Sequence, residues 1–211
     1  MGAPGAGKGT QARFIQERRG IPQISTGDMF RSMKDATTPL ADEVRGIMNT
    51  GKLVPDDLTI RVVRDRTNRE DCSKGYVLDG FPRTIAQAET LENLAAEQEK
   101  SITAISVDVP FDILEQRITG RMNCPVCGEI YNIHFKPPKK DNVCDLHPDA
   151  QLVHRADDTP EKIKVRLATY EQQTQPLLDY YERSGRLRRI NGAREPEAIY
   201  KDIEKILTSL D

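Results

Sequence analysis

The sequence predicts an α/β layered protein, and three observations carry that prediction. Helix-like and strand-like stretches alternate along the chain. A glycine-rich run, Gly2-Ala3-Pro4-Gly5-Ala6-Gly7-Lys8-Gly9-Thr10, opens directly into a helical pattern. Short apolar runs, of which Tyr76-Val77-Leu78-Asp79 is the clearest, read as buried strands. At 211 residues the chain suits one core with small insertions and is too short for two full domains.

In order, residues 8–19 are expected to be helical. Two further helical patterns, 28–35 and 40–50, are parted by Thr37-Thr38-Pro39. Pro55-Asp56-Asp57 starts a helix to Thr67, with acids in the first turn where the helix dipole favours them. After the strand at 76–79, Thr84 and Gln87 stand three apart as a capping box for a helix to Gln98. Residues 102–109 form a second strand, and a short helix, 111–119, stops at Gly120. Residues 121–157 break the alternation. They hold Cys124, Cys127 and Cys144, all three histidines and the Pro137-Pro138 pair, and read as an insertion of turns and short strands. Asp158-Thr159-Pro160-Glu161 combines a cap, a first-turn proline and an acid, so a helix is expected from there to Glu182. Residues 187–190 form a last strand, and Pro196 opens the final helix. No internal repeat is present.

A net charge of -2 argues against a dedicated nucleic-acid or membrane binder. No apolar run approaches the ~20 residues a membrane span needs, and the first residues lack a charged-then-apolar leader. The expected setting is the cytoplasm.

The glycine run fits a phosphate-binding loop. Its N–H groups can face phosphate oxygens, the following helix offers its positive end, and Lys8 reaches the terminal phosphates as a point charge. The strict pattern places Ser or Thr directly after the lysine; here Gly9 intervenes before Thr10, which weakens the case for a hydroxyl on magnesium. Such a loop normally follows a buried strand. Only Met1 precedes it, so an upstream start is expected, with the missing strand central in the sheet.

Several segments together resemble the adenylate kinase family, and the likeness covers essentially the whole chain. They are residues 2–11, Ile24 to Arg31, 51–56, Leu78-Asp79-Gly80-Phe81-Pro82-Arg83-Thr84, Gly120-Arg121, Arg155-Ala156-Asp157-Asp158 and Gln173 to Leu177. The Asp79 to Arg83 run is close to diagnostic of nucleoside monophosphate kinases. The resemblance implies a P-loop NTPase-type parallel sheet flanked by helices. It implies a core of residues 1–24, 55–119 and 159–211, an AMP-binding unit of 25–54 and a zinc-bearing lid of 120–158. The implied reaction is reversible, magnesium-dependent phosphoryl transfer, ATP + AMP = 2 ADP, by a monomer.

Residue chemistry points the same way. ATP and AMP bring roughly six negative charges together, and phosphoryl transfer is catalysed mainly by positioning and electrostatic stabilisation. Arginine suits this because its planar fork pairs with phosphate oxygens. By resemblance, Gly5, Ala6, Gly7, Lys8, Gly9, Thr10, Arg117 and Arg121 bind ATP, with Arg117 packing on the adenine. Thr26, Arg31, Gly80, Arg83, Gln87, Arg155 and Arg166 bind AMP. Lys8, Asp79, Arg83, Arg121, Arg155 and Arg166 serve the transfer itself, Asp79 organising Mg2+ or its waters. Asp157 and Asp158 match lid acids, with helix capping as the plainer reading of Asp158; Thr26 and Gln87 can likewise cap helices. The attacking phosphate oxygen is already ionised, so no general base is assigned.

Cys124-x-x-Cys127 and Cys144-x-x-His147 are two half-sites spaced for a tetrahedral structural Zn2+ site. The family's fourth ligand is commonly Cys or Asp; Asp145, Asp149 and His154 are alternatives to His147. Cys72 is read as an ordinary packing or surface residue. Tyr131, Phe135, Pro137 and Pro138 are read as lid packing, and Met29, Met33 and Met48 as core. Two rivals are a UMP/CMP-type kinase and a zinc-ribbon nucleic-acid module. A GTPase is disfavoured by the lack of an Asn-Lys-x-Asp signal.

Overall fold

The computed structural model describes residues 1–32, 44, 46–48, 50 and 52–210. Most of the expected 40–50 helix, the end of the 28–35 pattern, Met33 and Gly51 lie outside these residues. Among the described residues the helices are α1 (Lys8–Arg19), α2 (Thr26–Ser32), α3 (Asp56–Thr67), α4 (Ile85–Glu97), α5 (Phe111–Thr119), α6 (Pro160–Thr169), α7 (Pro176–Arg183) and α8 (Pro196–Thr208). The strands are β1 (Gln23–Ser25), β2 (Val77–Asp79), β3 (Ala104–Asp108), β4 (Arg121–Asn123), β5 (Ile130–Asn132) and β6 (Leu187–Asn191).

β1 and β2 run parallel, with Ile24 opposite Leu78. β3 and β6 also run parallel, from Ala104 opposite Leu187 to Asp108 opposite Asn191. Parallel neighbours need crossovers, and helices supply them. Met1 lies along β3: the Val107 N–H donates to its carbonyl at 3.0 Å, and its amino group donates to the Ile105 carbonyl. No described strand bridges the two pairs. A cavity of about 620 Å³ runs between them, from Lys8, Asp79, Arg83 and Arg166 to Ile203, Leu207 and Leu210.

Apolar clusters fix the helices on the strands. Ile15, Ile190, Ile199, Tyr200 and Ile203 join α1, β6 and α8. Val63, Phe81, Leu91 and Leu94 join α3 and α4 beside the turn after β2. Ala6, Val107, Leu114, Ile118, Ile163 and Leu167 seat the glycine loop on β3, α5 and α6. Each fully buried Leu or Ile in such a cluster contributes about 1.5–3 kcal/mol. The strand ends Ser25, Asp79 and Asp108 thus open beside the loop, where α/β folds place ligands.

Residues 121–157 are turns and short strands, as expected. β4 and β5 pair antiparallel, with Met122 opposite Tyr131. Their private cluster is small: Met122, Cys124, Tyr131, Cys144, Ala150 and Leu152. Phe135 is not part of it; it is 48% exposed, with the Arg117 guanidinium 5.5 Å from its ring centre. Cys72 is buried, beside Arg66.

Three details depart from the sequence reading. β1 was not foreseen, because three residues with one buried side chain carry no alternation. The helix expected to run to Glu182 is interrupted by a π-helical turn over Tyr170–Thr174. Pro176 has no N–H to donate, and the Gln175 N–H reaches back five residues to Tyr170 O at 2.8 Å. Finally, Asp158 does not cap α6. Thr159 occupies that position, without a side-chain cap bond.

Candidate active site

The glycine loop turns on itself, with the Ala6 N–H donating to Ala3 O at 3.1 Å. Gly7 precedes α1 and Lys8 is its first residue. The Lys8 ammonium spans the loop mouth, donating to Gly2 O at 2.8 Å and Ala3 O at 3.0 Å. Gly5, Ala6, Gly7, Gly9 and Thr10 therefore surround one short arc at the positive end of α1. The structure explains the glycine after Lys8. A Cβ at Gly9 would come within 3.2 Å of Asp79 Oδ2, so a side chain there would press on the carboxylate. Gln23 Nε2 donates to the same Asp79 oxygen at 3.3 Å.

Beyond Asp79 the chain turns at Gly80, whose φ of +79° lies in the left-handed region. A Cβ there would meet the Arg83 guanidinium at 2.9 Å and Thr26 Oγ1 at 3.1 Å. The turn brings three expected residues together. Thr26 Oγ1 donates to Gly80 O at 2.9 Å, and Arg83 Nε donates to the same carbonyl at 2.8 Å. Thr26 thus ties α2 to the turn and does not cap α2; Ser25 Oγ accepts the Asp28 N–H at 3.2 Å instead. Thr84 Oγ1 accepts the Gln87 N–H at 3.1 Å, as a capping box requires. The return arm differs: Gln87 Oε1 accepts from the Arg83 N–H at 2.8 Å, one residue ahead of the cap. Thr26, Arg31, Gly80, Arg83, Gln87, Asp157 and Arg166 line a second, smaller cavity of about 70 Å³.

Across the cleft, Asp158 holds two arginines. Arg121 donates to both its carboxylate oxygens, at 2.8 and 2.6 Å, and Arg166 donates to Oδ1 at 2.8 Å. The Asp158 side chain is 1% exposed. Arg166 also pairs with Asp157 at 3.0 Å. Arg155 is oriented by Asn123, donating to Oδ1 at 2.9 Å. Arg31 pairs with Asp28 on its own helix. Arg117 donates to Gly192 O at 2.9 Å.

Crowding of positive charge marks the cleft. Burial lowers Lys8 to about 8, and Arg83, Arg166 and Arg121 push the same way against Asp79. Burial brings Arg83 down to about 10, with Arg166 and Arg31 adding to it. Arg155 falls to about 10 through burial and then through Arg121 and Arg31. Burial disfavours the charged form of Asp157, yet Arg166, Arg31, Arg121 and Arg155 together hold its carboxyl below its usual range. Such a group of destabilised cations calls for an anionic ligand. Aspartate and threonine oxygens near the loop are hard donors suited to a magnesium ion that keeps much of its water.

Cys124, Cys127, Cys144 and His147 present ligand atoms all within 4.8 Å of one another. Cys127 and Cys144 sulfurs are 3.8 Å apart, and Cys144 Sγ is 3.9 Å from His147 Nδ1. Metal–sulfur bonds of about 2.3 Å at tetrahedral angles imply an edge of about 3.8 Å. The set can therefore hold a four-coordinate metal. Tyr131 and Asp145 frame it: Tyr131 OH lies 3.6 Å from Cys144 Sγ and accepts the Asp145 N–H at 2.9 Å. The Asp145 carboxylate is turned to the Lys139 N–H at 2.8 Å.

Several contributors have no individual role in the sequence reading. Asp56, a first-turn acid that ends the family-like 51–56 run, accepts from Gln87 and Thr84. Thr174 in the π turn donates to Arg83 O at 3.0 Å. Arg13 on α1 pairs with Glu129 of the cysteine-bearing segment at 2.8 Å. Each is a long-range pairing, invisible to local pattern.

Comparison with known proteins agrees with this geometry. The family model for adenylate kinase matches residues 1–186. A protein named adenylate kinase from Geobacillus sp. (strain WCH70) is 51% identical over all of this chain and 97% of its own length. The adenylate kinase of Clostridium perfringens (strain SM101 / Type A) is 48% identical over 99% of this chain and 97% of its own. That of Bacillus subtilis (strain 168) is 46% identical over 100% and 97%. With a phosphate loop, a cation-lined cleft and full-length likeness of this order, the chain belongs to the adenylate kinase family.

Proposed function

We propose that the chain moves a phosphoryl group between ATP and AMP, giving two ADP, with the cleft cations as its machinery. The observation that carries this reading is the convergence of Lys8, Arg83, Arg121 and Arg166 on one cleft, where burial first, and then the three guanidiniums against Asp79, bring Lys8 down to about 8. The cleft is organised for charge that the substrates bring.

ATP phosphates lie on the loop from Gly5 to Thr10, under Lys8, and the ATP base packs on Arg117 beside Phe135. The AMP phosphate is held by Arg31 and Arg83, and its base faces Thr26, Gly80 and Gln87. Arg121, Arg155 and Arg166 grip the group in transit. Backbone holds Arg83 through Gly80 O, so its charge is undiluted by a carboxylate at that contact. Arg121 and Arg166 share Asp158, which fixes their spacing before the phosphates arrive. A rigid donor array costs no reorganisation as charge develops, and that is where the rate gain lies. Asp79 and waters would hold the magnesium that comes with ATP, with Thr10 as a further oxygen donor, and the ion would supply neutralisation of phosphate charge. The incoming phosphate oxygen is ionised at neutral pH, so His134, His147 and His154 need move no proton.

We assign residues 120–158 as a lid and 25–54 as the AMP-binding unit on a core of 1–24, 55–119 and 159–211. The three thiolates and one imidazole suit Zn2+ in a closed structural site. Closure of the lid excludes water, which would otherwise accept the phosphoryl group. No helix among the described residues is long and apolar enough to cross a membrane. The charge of -2 lacks the basic excess a nucleic-acid partner would call for, and we assign a cytoplasmic monomer acting on nucleotides.

The test is AMP-dependent ADP formation with ATP and magnesium. Lys8→Ala and Arg83→Ala are each expected to lower kcat by about 100- to 1000-fold, the range for losing one charge-stabilising group. Full rate in both variants would overturn the assignment.

A further inference from the structure

Gln87 is 2% exposed, yet it lines the cavity assigned above to AMP. An amide side chain can be turned end for end at little intrinsic cost, since its oxygen and nitrogen have similar size. Here both ends are held. Asp56 Oδ1 accepts from Gln87 Nε2 at 2.6 Å, and a carboxylate can only accept. The Arg83 N–H donates to Gln87 Oε1 at 2.8 Å. Turning the amide would set its NH2 against the Arg83 N–H and its oxygen against a carboxylate oxygen. Asp56 is itself anchored: Oδ2 accepts from Thr84 Oγ1 at 2.8 Å, and Thr84 caps α4. The first turn of α3 and the turn that leads into α4 thus lock one side chain from both sides.

We propose that Asp56 is a positioning residue that fixes which end of the Gln87 amide donates and which accepts, and so selects a 6-aminopurine acceptor over a 6-oxopurine. This rests on the reading that Gln87 faces the base of the acceptor nucleotide. Its two pairings leave Gln87 one N–H and one oxygen lone pair. A 6-aminopurine offers an exocyclic donor next to a ring acceptor. A 6-oxopurine offers the reverse order on the same edge. A glutamine free to turn would serve both, whereas one held by Asp56 serves only the first. A site built to hydrogen-bond one pattern rejects the other because the mismatch leaves buried polar groups unpaired.

The experiment compares AMP, IMP and GMP as acceptors with Asp56→Asn, Gln87→Leu and Asp57→Asn, the last an exposed neighbour that removes the same charge from the same helix turn. In Asp56→Asn the new amide can donate as well as accept. The AMP-to-IMP ratio of kcat/KM is expected to fall about tenfold, with KM for AMP rising and kcat changing less than about twofold. Asp57→Asn is expected to keep the ratio. A ratio is independent of the folded fraction, so a melting loss in Asp56→Asn does not obscure it. An unchanged ratio in Asp56→Asn, alongside weakened AMP use in Gln87→Leu, would overturn the proposal and leave the base-facing reading of Gln87 standing. An unchanged KM for AMP in Gln87→Leu would remove the base-facing reading and the proposal with it.

Discussion

The nucleotide core and the cysteine-bearing segment hold their arginines in different ways, and the contrast shows what each depends on. In the core, Arg83 is fixed by the Gly80 carbonyl, by the turn after β2 and by Thr174 on its own carbonyl. Packed clusters such as Val63, Phe81, Leu91 and Leu94 stand behind that turn. In the segment from β4 to Asp158, Arg121 and Arg155 are held by Asp158 and Asn123. Behind them lies a cluster of six residues, two of them cysteines of the metal-competent set. The core orients charge with backbone and bulk. The segment orients it with side-chain polar pairs on a scaffold too small to stand on apolar burial alone.

The largest effect follows from that difference. Removing metal with a chelator, or Cys144→Ser, should unfold the segment while the core persists, because metal binding in such sites is folding free energy of order 10 kcal/mol. Activity should fall at least about 100-fold as Arg121 and Arg155 lose their places, in keeping with the loss of charge-stabilising donors. Far-ultraviolet circular dichroism should keep most of its helix signal, since the helices lie outside β4 to β5. A single cooperative loss of all structure would break the contrast.

Asp158 is the next test. It is almost fully buried and neutralises two arginines whose side chains are 14% and 19% exposed. Asp158→Ala leaves both without that partner and is expected to cost about 3 kcal/mol in a denaturant titration, the range for breaking one side of a buried pair. Glu97→Ala, which removes an ion pair with Arg64 on the core surface, is the control. It should cost less than about 1 kcal/mol. Equal losses would mean that burial adds nothing to what the Asp158 pairs contribute.

The core carries its own strain, and pH reads it. Lys8 sits at about 8 here against an ordinary 10.5, chiefly because it is buried. Between those values the unfolded chain holds a proton that the folded protein has released. Stability from this group therefore rises with pH across that window, and the cost of the buried charge is fully present below it. Lys8→Met is expected to be the more stable protein at pH 7, with the gap narrowing as pH climbs from 8 to 10. Thermal melts of both proteins across that range check the sign. A gap that widens with pH would show that Lys8 is stabilised in its charged form.

Much of this architecture was legible because local rules were strong. The glycine loop and α1, the Thr84 cap and the β2 strand each have a signature within about ten residues. The two cysteine half-sites were legible for the same reason: ligand spacing is itself a sequence property. What escaped notice was pairing over distance. Asp56 had an adequate local role as a first-turn acid, and nothing in the sequence joins it to Gln87, 31 residues on. The π turn at Tyr170–Thr174 was hidden because its residues suit an α-helix. Gly9 departs from the strict loop pattern for a reason that lies far along the chain, the Asp79 carboxylate against it.

The smallest effect sharpens the contrast at two helix starts that each carry a threonine at the cap position. In the core, Thr84 Oγ1 accepts the Gln87 N–H at 3.1 Å and donates to Asp56 at 2.8 Å. At the exit from the cysteine-bearing segment, Thr159 heads α6 without a side-chain cap bond. A capping hydroxyl is worth typically about 1 kcal/mol, so Thr84→Ala should lose about 1–2 kcal/mol with its second bond included. Thr159→Ala should lose less than about 0.5 kcal/mol, because no helix N–H depends on that hydroxyl. The Pro160 ring already fixes the first turn of α6, and proline has no N–H that needs a partner. Urea unfolding of the two variants decides it. Equal losses would place the Thr159 hydroxyl on the α6 backbone and erase the difference between a helix started by its cap and one started by its proline.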